Sequence, residues 1–421
     1  MPTRFIMRPM SENKKPPENT LNCDVLIVGG GLVGGTLASA LAHWGLRTVV
    51  VDTQDPSVGL DAEFDGRASA IALASQRLLE SVGLWDSMTE NACPIEDIRV
   101  TEGNSPFFLH YDHKDTESQA FGYMIENRSI RRALYDRMST LENIQILAPD
   151  QVDILERSVS GVRAGLKSGV SVSAALVIGA DGRNSTTRRE ANIRTTGWSY
   201  DQTGIVCTVE HQEPHHHIAH EHFLPAGPFA ILPLWKNRAS IVWAERSDLA
   251  PAIMALDDAD FLEELKPRFG DFLGDLKVIG PRWAYPLTLK FAERAIDLRL
   301  ALIGDALHGM HPIAGQGLNM GLRDVAALAE VLVDARRLGM DLGDRIVLER
   351  YQRWRRFDNT LMLAATDGLN RLFSNTIGPV RLARDLGLSA VNKMGPLKKV
   401  FMRSAMGLSG ELPKLMRGQP L

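Results

Sequence analysis

The run Val25-Leu26-Ile27-Val28-Gly29-Gly30-Gly31-Leu32-Val33-Gly34-Gly35 constrains the fold more than any other part of the chain. Four apolar residues read as a short buried strand, the glycines as a tight turn, and residues 32–44 as a helix of small and apolar side chains. Thr48-Val49-Val50-Val51 reads as a second strand ending at Asp52, so the chain opens with a βαβ unit. Residues 25–46 hold no Asp, Glu, Lys or Arg over 22 positions, long enough to span a bilayer, but the interrupting glycines suit a strand, turn and helix better. Gly29-x-Gly31-x-x-Gly34, placed between strand and helix, is the setting a dinucleotide fingerprint requires. Without side chains the backbone approaches a pyrophosphate, whose charge meets free N–H groups and the positive helix end. Asp52, 18 residues beyond Gly34, stands where a carboxylate accepts hydrogen bonds from an adenosine ribose.

At 421 residues the chain is long enough for two or three domains. Its 44% hydrophobic and 23% charged residues exclude a disordered or collagen-like chain, and a net charge of −4 does not favour nucleic acid as a partner. Residues 381–421 are the exception, with eight Lys or Arg against two acids, which calls for a negative partner or for solvent. Cys23, Cys93 and Cys207 are scattered and odd in number, so no disulfide framework or thiolate zinc site is expected, and a reducing cytoplasm fits. Residues 1–20 are polar without an apolar core and read as a flexible extension.

Further along, 67–92 read as helical, 96–113 as strand-rich, 129–141 as a helix and 174–180 as a strand running into Asp181-Gly182. Residues 199–285 carry β-type runs, including 204–209 and 229–235, the latter turning at Lys236-Asn237 into 239–243, and suggest an antiparallel sheet in a second domain. A buried strand at 298–303 leads into Gly304-Asp305, a glycine-rich loop and a helix over 317–338; from 344 onward everything reads as helical. His215-His216-His217-x-x-His220-x-His222 holds five of the eleven histidines. Such density binds zinc or nickel adventitiously, yet no carboxylate pattern or HExxH supports a closed site, so the patch reads as a solvated loop between strands. His308 and His311 likewise lack a third ligand, and no metal is expected.

Two later motifs distinguish a flavin from a nicotinamide. Gly179-Ala180-Asp181-Gly182-x-x-Ser185-x-x-Arg188 follows one strand and Gly304-Asp305 another. With the glycine fingerprint, in that order, the chain resembles the flavoprotein aromatic hydroxylases (group A flavin monooxygenases). The resemblance implies that the three motifs converge on one FAD, that Asp181 lies at the cofactor, and that Asp305 holds the ribityl chain. It sharpens in ALIGDALHGMHPIAGQGLNMGLRD, Ala301 to Asp324, which is similar to the ubiquinone-biosynthesis hydroxylases (UbiH/UbiF type). Asp65-Gly66-Arg67-Ala68, Gly122-Tyr123-Met124-Ile125-Glu126-Asn127, residues 227–234 and Tyr285-Pro286-Leu287 support it, over about 22–375. Arg67 resembles the family's arginine that contacts FAD, a surface salt bridge being the alternative, and Glu126, Asn127 and Arg131 fall where the family's helix touches the flavin.

Pro312 and Gly315-Gln316-Gly317, with Leu318 and Asn319, begin the long helix and are suited to the N1–C2=O edge of an isoalloxazine, where a helix N-terminus stabilises the anionic reduced form. The implied architecture is α/β. A Rossmann-like FAD-binding domain (21–95, 120–190 and 286–340) interleaves with an antiparallel-sheet substrate domain (96–119 and 191–285), followed by a helical C-terminal region (341–421). The implied activity is FAD-dependent hydroxylation of a polyprenylated phenol on the path to ubiquinone, with NADPH or NADH and O2 as co-substrates. Pro233, Pro312 and Gly315, with Phe229 and Leu232, are the candidates beside the ring; no acid–base residue can be named. A halogenase or isoprenoid reductase of the same fold, and a non-catalytic subunit of a quinone-synthesis complex, stay open. Leu397, Val400, Phe401, Ser404 and Leu408 recur at helical spacing, with Lys398, Lys399 and Arg403 off that stripe. Such a helix suits a membrane surface or other ubiquinone-biosynthesis proteins, placing the protein in the cytoplasm, peripheral to the inner face of the membrane; a helix packed on the core is the alternative.

Overall fold

The computed structural model describes residues 20–56, 60, 65–103, 108–116, 120–309, 316–356, 358 and 394–421; residues 1–19 of the expected extension, His311, Pro312 and Gly315 lie outside these, as does the side chain of Gln316. The βαβ opening consists of β1 (Thr20–Val28), α1 (Leu32–His43) and β2 (Thr48–Val51). Val25, Leu26, Ile27 and Val50 are fully buried, as expected of parallel strands covered on both faces. Glycine at position 34 is a packing requirement, since an added Cβ would stand 1.9 Å from the Gly29 carbonyl oxygen and push α1 off the turn.

Residues 67–92 are not one helix. They form β3 (Ala68–Ala72), α2 (Leu73–Ser81) and a 3-10 turn at Asp86–Asn91, followed by β4 (Cys93–Ile95). The helical preference of Ala68 and Ala70 is overridden by pairing with β7 (Gly122–Glu126), reached through β5 (Asp97–Glu102) and β6 (Phe108–Asp112). The chain continues through α3 (Asn127–Thr140), β8 (Ile144–Leu147), β9 (Val152–Ser158), β10 (Gly161–Leu166), β11 (Ser171–Gly179) and α4 (Thr186–Glu190). Then follow β12 (Thr195–His211), β13 (Ile218–Leu224), β14 (Gly227–Leu234), β15 (Arg238–Arg246), α5 (Ala250–Ala255), α6 (Asp258–Phe269) and β16 (Leu276–Ala292). β17 (Ile296–Asp297), β18 (Leu300–Leu302), β19 (His308–Gly309), α7 (Gln316–Arg337), α8 (345–356) and α9 (Gly395–Ala405) complete the described elements.

Three sheets result. One runs β17-β18-β11-β1-β2-β8, parallel except at β17, with the β9–β10 hairpin attached to β11; the second runs β19-β16-β12-β15-β14-β13-β5-β6; the third is β3-β7-β4. The large second sheet has two distinct faces. Ile205, Cys207, Phe229, Ile231, Ile241 and Trp243 pack on Phe261, Leu265 and Phe269 of α6. Ala219, Phe223 and Leu234 look the other way, onto Leu73, Cys93 and Met124 beside the small sheet and onto Met402 and Met406.

Two expectations change here. The histidine patch is only half loop. His220 and His222 lie within β13, His220 against Phe272 and His222 Nδ1 at 2.6 Å from Thr101 Oγ1, because the His-x-His spacing has the period of a strand. The C-terminal region is not continuously helical either. Gly407, at φ 72°, follows α9, and the chain then runs irregularly to bury Leu415 and Met416 in the first core.

Gly34→Ala should cost at least about 2 kcal/mol through overpacking, while Gly31→Ala, with nothing within 4 Å of the added Cβ, should leave stability within about 0.5 kcal/mol of wild type. Urea denaturation of the two variants checks the contrast.

Candidate active site

Three loops leave the C-terminal ends of the adjacent strands β1, β11 and β18, the crevice where open α/β sheets take ligands. In the first, α1 begins at Gly31 with no side-chain cap, so its leading N–H groups are available to an anion. Asp52 orders this loop. Its Oδ2 accepts from Gly30 N at 2.5 Å and its Oδ1 from Gln54 N at 2.8 Å.

In the second loop the Asp181 carboxylate accepts from Ser185 Oγ at 2.5 Å, Thr186 Oγ1 at 2.9 Å and Thr187 N at 3.0 Å, all in the turn that starts α4. The carboxylate of Asp181, expected at the cofactor, thus shapes its own turn in the manner of a helix cap. Arg188, almost fully buried, donates to Ala306 O at 2.8 Å and to Arg183 O at 3.0 Å, so the second motif fastens the third. In that third loop Asp305 is nearly half exposed, and among the described residues its nearest cation is Arg183 at 4.0 Å.

Behind Asp305 lies a buried charge cluster only partly visible in sequence. Asp324 of α7 has no exposure. Its Oδ2 accepts from Gly304 N at 3.0 Å and lies 2.6 Å from His308 Nε2, while Oδ1 accepts from Arg355 Nε of α8 at 2.8 Å. Burial alone would raise this carboxyl, but His308 and Arg355 outweigh it and hold it below the usual carboxylate range. The one available signal was an aspartate among the apolar positions of a buried helix; Arg355 gave none.

At the start of α7, an added Cβ on Gly317 would meet nothing within 4 Å, and Leu318 is partly buried. The Asn319 side chain binds β3 instead of facing outward, with Nδ2 donating to Ala70 O at 2.8 Å and Oδ1 accepting from Ala72 N at 2.9 Å. Arg67 is also engaged. Its Nε and Nη2 lie 3.1 and 2.7 Å from Asp65 Oδ2, and its guanidinium sits 4.6 Å over the Trp283 ring. Arg131 joins the same carboxylate at 3.4 Å. Glu126 bridges Arg128 and Arg238, and Asn127 Oδ1 accepts from Ser69 Oγ at 2.6 Å.

Strand register builds the neighbouring wall. Val100, Glu221, Ala230, Val242, Val206 and Trp283 are successive cross-strand partners over β5, β13, β14, β15, β12 and β16, forming one row on the face toward the small sheet. All but Ala230 retain partial exposure, whereas Phe229, Ile231, Ile205 and Ile241 on the reverse face are at most 2% exposed. Facing the small sheet, this accessible row, apolar except for Glu221, is suited to line a ligand chamber. Thr208 Oγ1 donates to Gly66 O at 3.2 Å and Trp283 Nε1 to Asp65 O at 2.5 Å, so this wall abuts the turn carrying Arg67. Pro233 and Phe229 are therefore misplaced as ring-positioning candidates. Alternation puts them with Ile231 on the helix-covered face, and of that trio only Leu232 faces the chamber.

Donor atoms of Cys93, His215 and His217 come within 4.8 Å of one another. Both His215 nitrogens are in use, however. Nε2 bonds the carbonyls of Leu234 and Lys236 at 2.9 Å, and Nδ1 accepts from His217 N at 3.0 Å. Burial pushes the Cys93 thiol up to about 12, away from the thiolate that metals bind.

Asp324→Asn should cost about 3 kcal/mol, the low end for a broken buried pair, since Arg355 loses Asp324 but keeps Asp358 at 2.9 Å. Because the carboxyl is held below its ordinary 3.8, the wild-type stabilisation is complete above that value and disappears as pH falls through the lower folded value. Denaturation midpoints against pH should converge for the two proteins on acidification.

A family model described as FAD binding domain matches residues 22–357. Ubiquinone hydroxylase UbiL of Rhodospirillum rubrum is 57% identical over 401 residues, 94% of this chain and 93% of that protein. The 3-demethoxyubiquinol 3-hydroxylase of Escherichia coli is 35% identical over 387 residues, 91% of this chain and 98% of its own. The solved structure of p-nitrophenol 4-monooxygenase from Pseudomonas putida shares the fold, with a TM-score of 0.77 at 21% identity, covering 93% of this chain and 99% of that one. With three loops converging at the strand ends, and with relatives matched along nearly their whole length, the chain belongs to the FAD-binding-domain family of monooxygenases, among its ubiquinone-biosynthesis hydroxylases.

Proposed function

We propose that the protein hydroxylates the aromatic ring of a polyprenylated phenol on the path to ubiquinone, with NADPH or NADH as reductant and O2 as oxygen source. The observation that carries this reading is the accessible row, apolar except for Glu221, that abuts the turn carrying Arg67, a surface suited to an isoprenoid phenol. Bound FAD supplies the redox chemistry by accepting electrons from the nicotinamide and activating O2. The chain's residues fit that cofactor. The uncapped start of α1 would receive the pyrophosphate, Asp52 would accept from the ribose, and the Asp305 carboxylate would accept from ribityl hydroxyls. The N-terminal end of α7 favours negative charge on the flavin edge, with Gly317 leaving backbone room. Val206, Val242 and Leu232 offer an apolar surface to the isoprenoid chain.

A lipid substrate must be met at a bilayer or delivered by a partner. No helix among the described residues is long and apolar enough to cross a membrane. We assign the contact to α9, which buries Met402 and presents Met394, Leu397, Val400 and Phe401 outward with Lys399 and Arg403 beside them. Lys398 is held by Asp115 at 2.8 Å. Truncation at Gly395 would also remove Met402, Met406 and Leu415 from the cores, so point changes are the cleaner probe. Leu397→Asp with Phe401→Asp should reduce liposome sedimentation and turnover of a long-chain phenol while FAD content stays at the wild-type level. Loss of FAD in that variant would assign the stripe to the core.

Purified protein should be yellow, and Asp305→Ala should bind FAD about 10- to 100-fold more weakly, since a charged acceptor contributes about 1.5–3 kcal/mol. A phenol should stimulate NADPH or NADH oxidation with hydroxylated product formed, and chelators should leave that rate unchanged. Oxidation that ignores the phenol would point to a non-catalytic flavin subunit.

A further inference from the structure

We infer that Glu221 receives the substrate's ring hydroxyl, its carboxyl hydrogen-bonding the phenol oxygen and orienting the ring within the chamber. The inference rests on the phenolic substrate proposed above.

Within the row from Val100 to Trp283, Glu221 is the one ionisable side chain, between Val100 on β5 and Ala230 on β14. Among the described residues no hydrogen bond or ion pair reaches its carboxyl, although it retains partial exposure. Its chain neighbours cannot serve it, because alternation directs His220 and His222 to the reverse face, where they contact Phe272 and Thr101. Along β13 the residues sharing its face are Ala219 and Phe223, both buried and apolar. Of the other polar groups on this face, Thr208 is committed to Gly66 and Gln202 Nε2 to Ala226 O at 2.7 Å, while Ser240 and Glu102 lie outside the row and are only 1% and 4% exposed.

A carboxyl in such a wall is costly unless something polar meets it. Burial pushes it up to about 7, so near neutrality it offers both a donor and an acceptor. A phenol hydroxyl complements both, and its isoprenoid substituent would extend over Val242, Val206 and Leu232. A hydroxyl-binding group in an otherwise apolar pocket is also the arrangement that rejects analogues lacking the hydroxyl.

The test uses FAD-loaded wild type, Glu221→Gln and Glu221→Leu, with a geranylated phenol and its methyl ether as probes, reading dissociation constants and hydroxylated product per NADPH. Glu221→Leu should weaken phenol binding at least about tenfold and divert electrons to hydrogen peroxide, the scale of one buried hydrogen bond left unmade. Glu221→Gln, which keeps a donor and an acceptor, should stay within about threefold, and the ether should bind all three proteins alike. Equal phenol affinity in wild type and Glu221→Leu, or equal losses for phenol and ether, would overturn the assignment. Should Glu221→Leu fail to retain FAD, the wild type decides, since it must prefer phenol over ether by at least about tenfold and equal affinities overturn the role. A wild type that accepts NADPH electrons yet binds no phenol would overturn the proposed function itself.

Discussion

The site depends on one buried carboxylate. Asp324 has no solvent, yet it meets a backbone N–H, an imidazole and a guanidinium drawn from the β18–α7 loop and from α8. Each partner is costly to bury alone, and together they tie the Gly304 turn to two helices. With Gly304 fixed, Asp305 emerges at the surface, and Arg188 can reach across from the second loop to Ala306. The three sequence motifs thus hold one another's backbone in place, and much of their chemistry is spent inward. Motif position places Asp181, Asn319 and Arg67 near the loops, but it does not show that their side chains also bond Thr187, Ala70 and Asp65.

The division of the chain between sheets was legible for physical reasons. Continuous apolar runs at β1, β2 and β11 have only one comfortable environment, a parallel sheet covered on both faces, and the alternating runs of β12 to β15 suit a sheet with two unlike sides. Legibility ended where tertiary partners decide. Nothing in Ala68-Ser69-Ala70 favours a strand until β7 lies alongside, and the irregular path after α9 follows from the core that Leu415 and Met416 fill. Arg355 was invisible because a buried arginine needs a buried acid elsewhere in the chain, and sequence separation hides the pair.

Pro233 and Leu232 show how fine the remaining ambiguity is. They are adjacent and sit in the segment that marks the family, yet a strand sends them to opposite sides of the sheet. Composition could not choose between them, since both are apolar and both neighbour buried residues. Pairing with β15 settles the matter, with Pro233 opposite the helix-covered Ala239 and Leu232 opposite Ser240. The same register brings Glu221 into the chamber wall, whereas in sequence it was one acid inside a histidine patch.

The strand order β18-β11-β1-β2 has a consequence for biosynthesis. β1 ends at Val28, but its parallel partner β11 begins at Ser171 and that strand's neighbour β18 begins at Leu300. At ribosomal rates of about 5–20 residues per second, the emerging β1–β2 edge stays unpaired for at least about 7 s before β11 exists. During that interval the most apolar segment of the protein exposes unpaired backbone groups to every other nascent chain nearby. Chaperone demand should therefore fall on the first third of the polypeptide, and expression yield should respond to translation speed across residues 30–170.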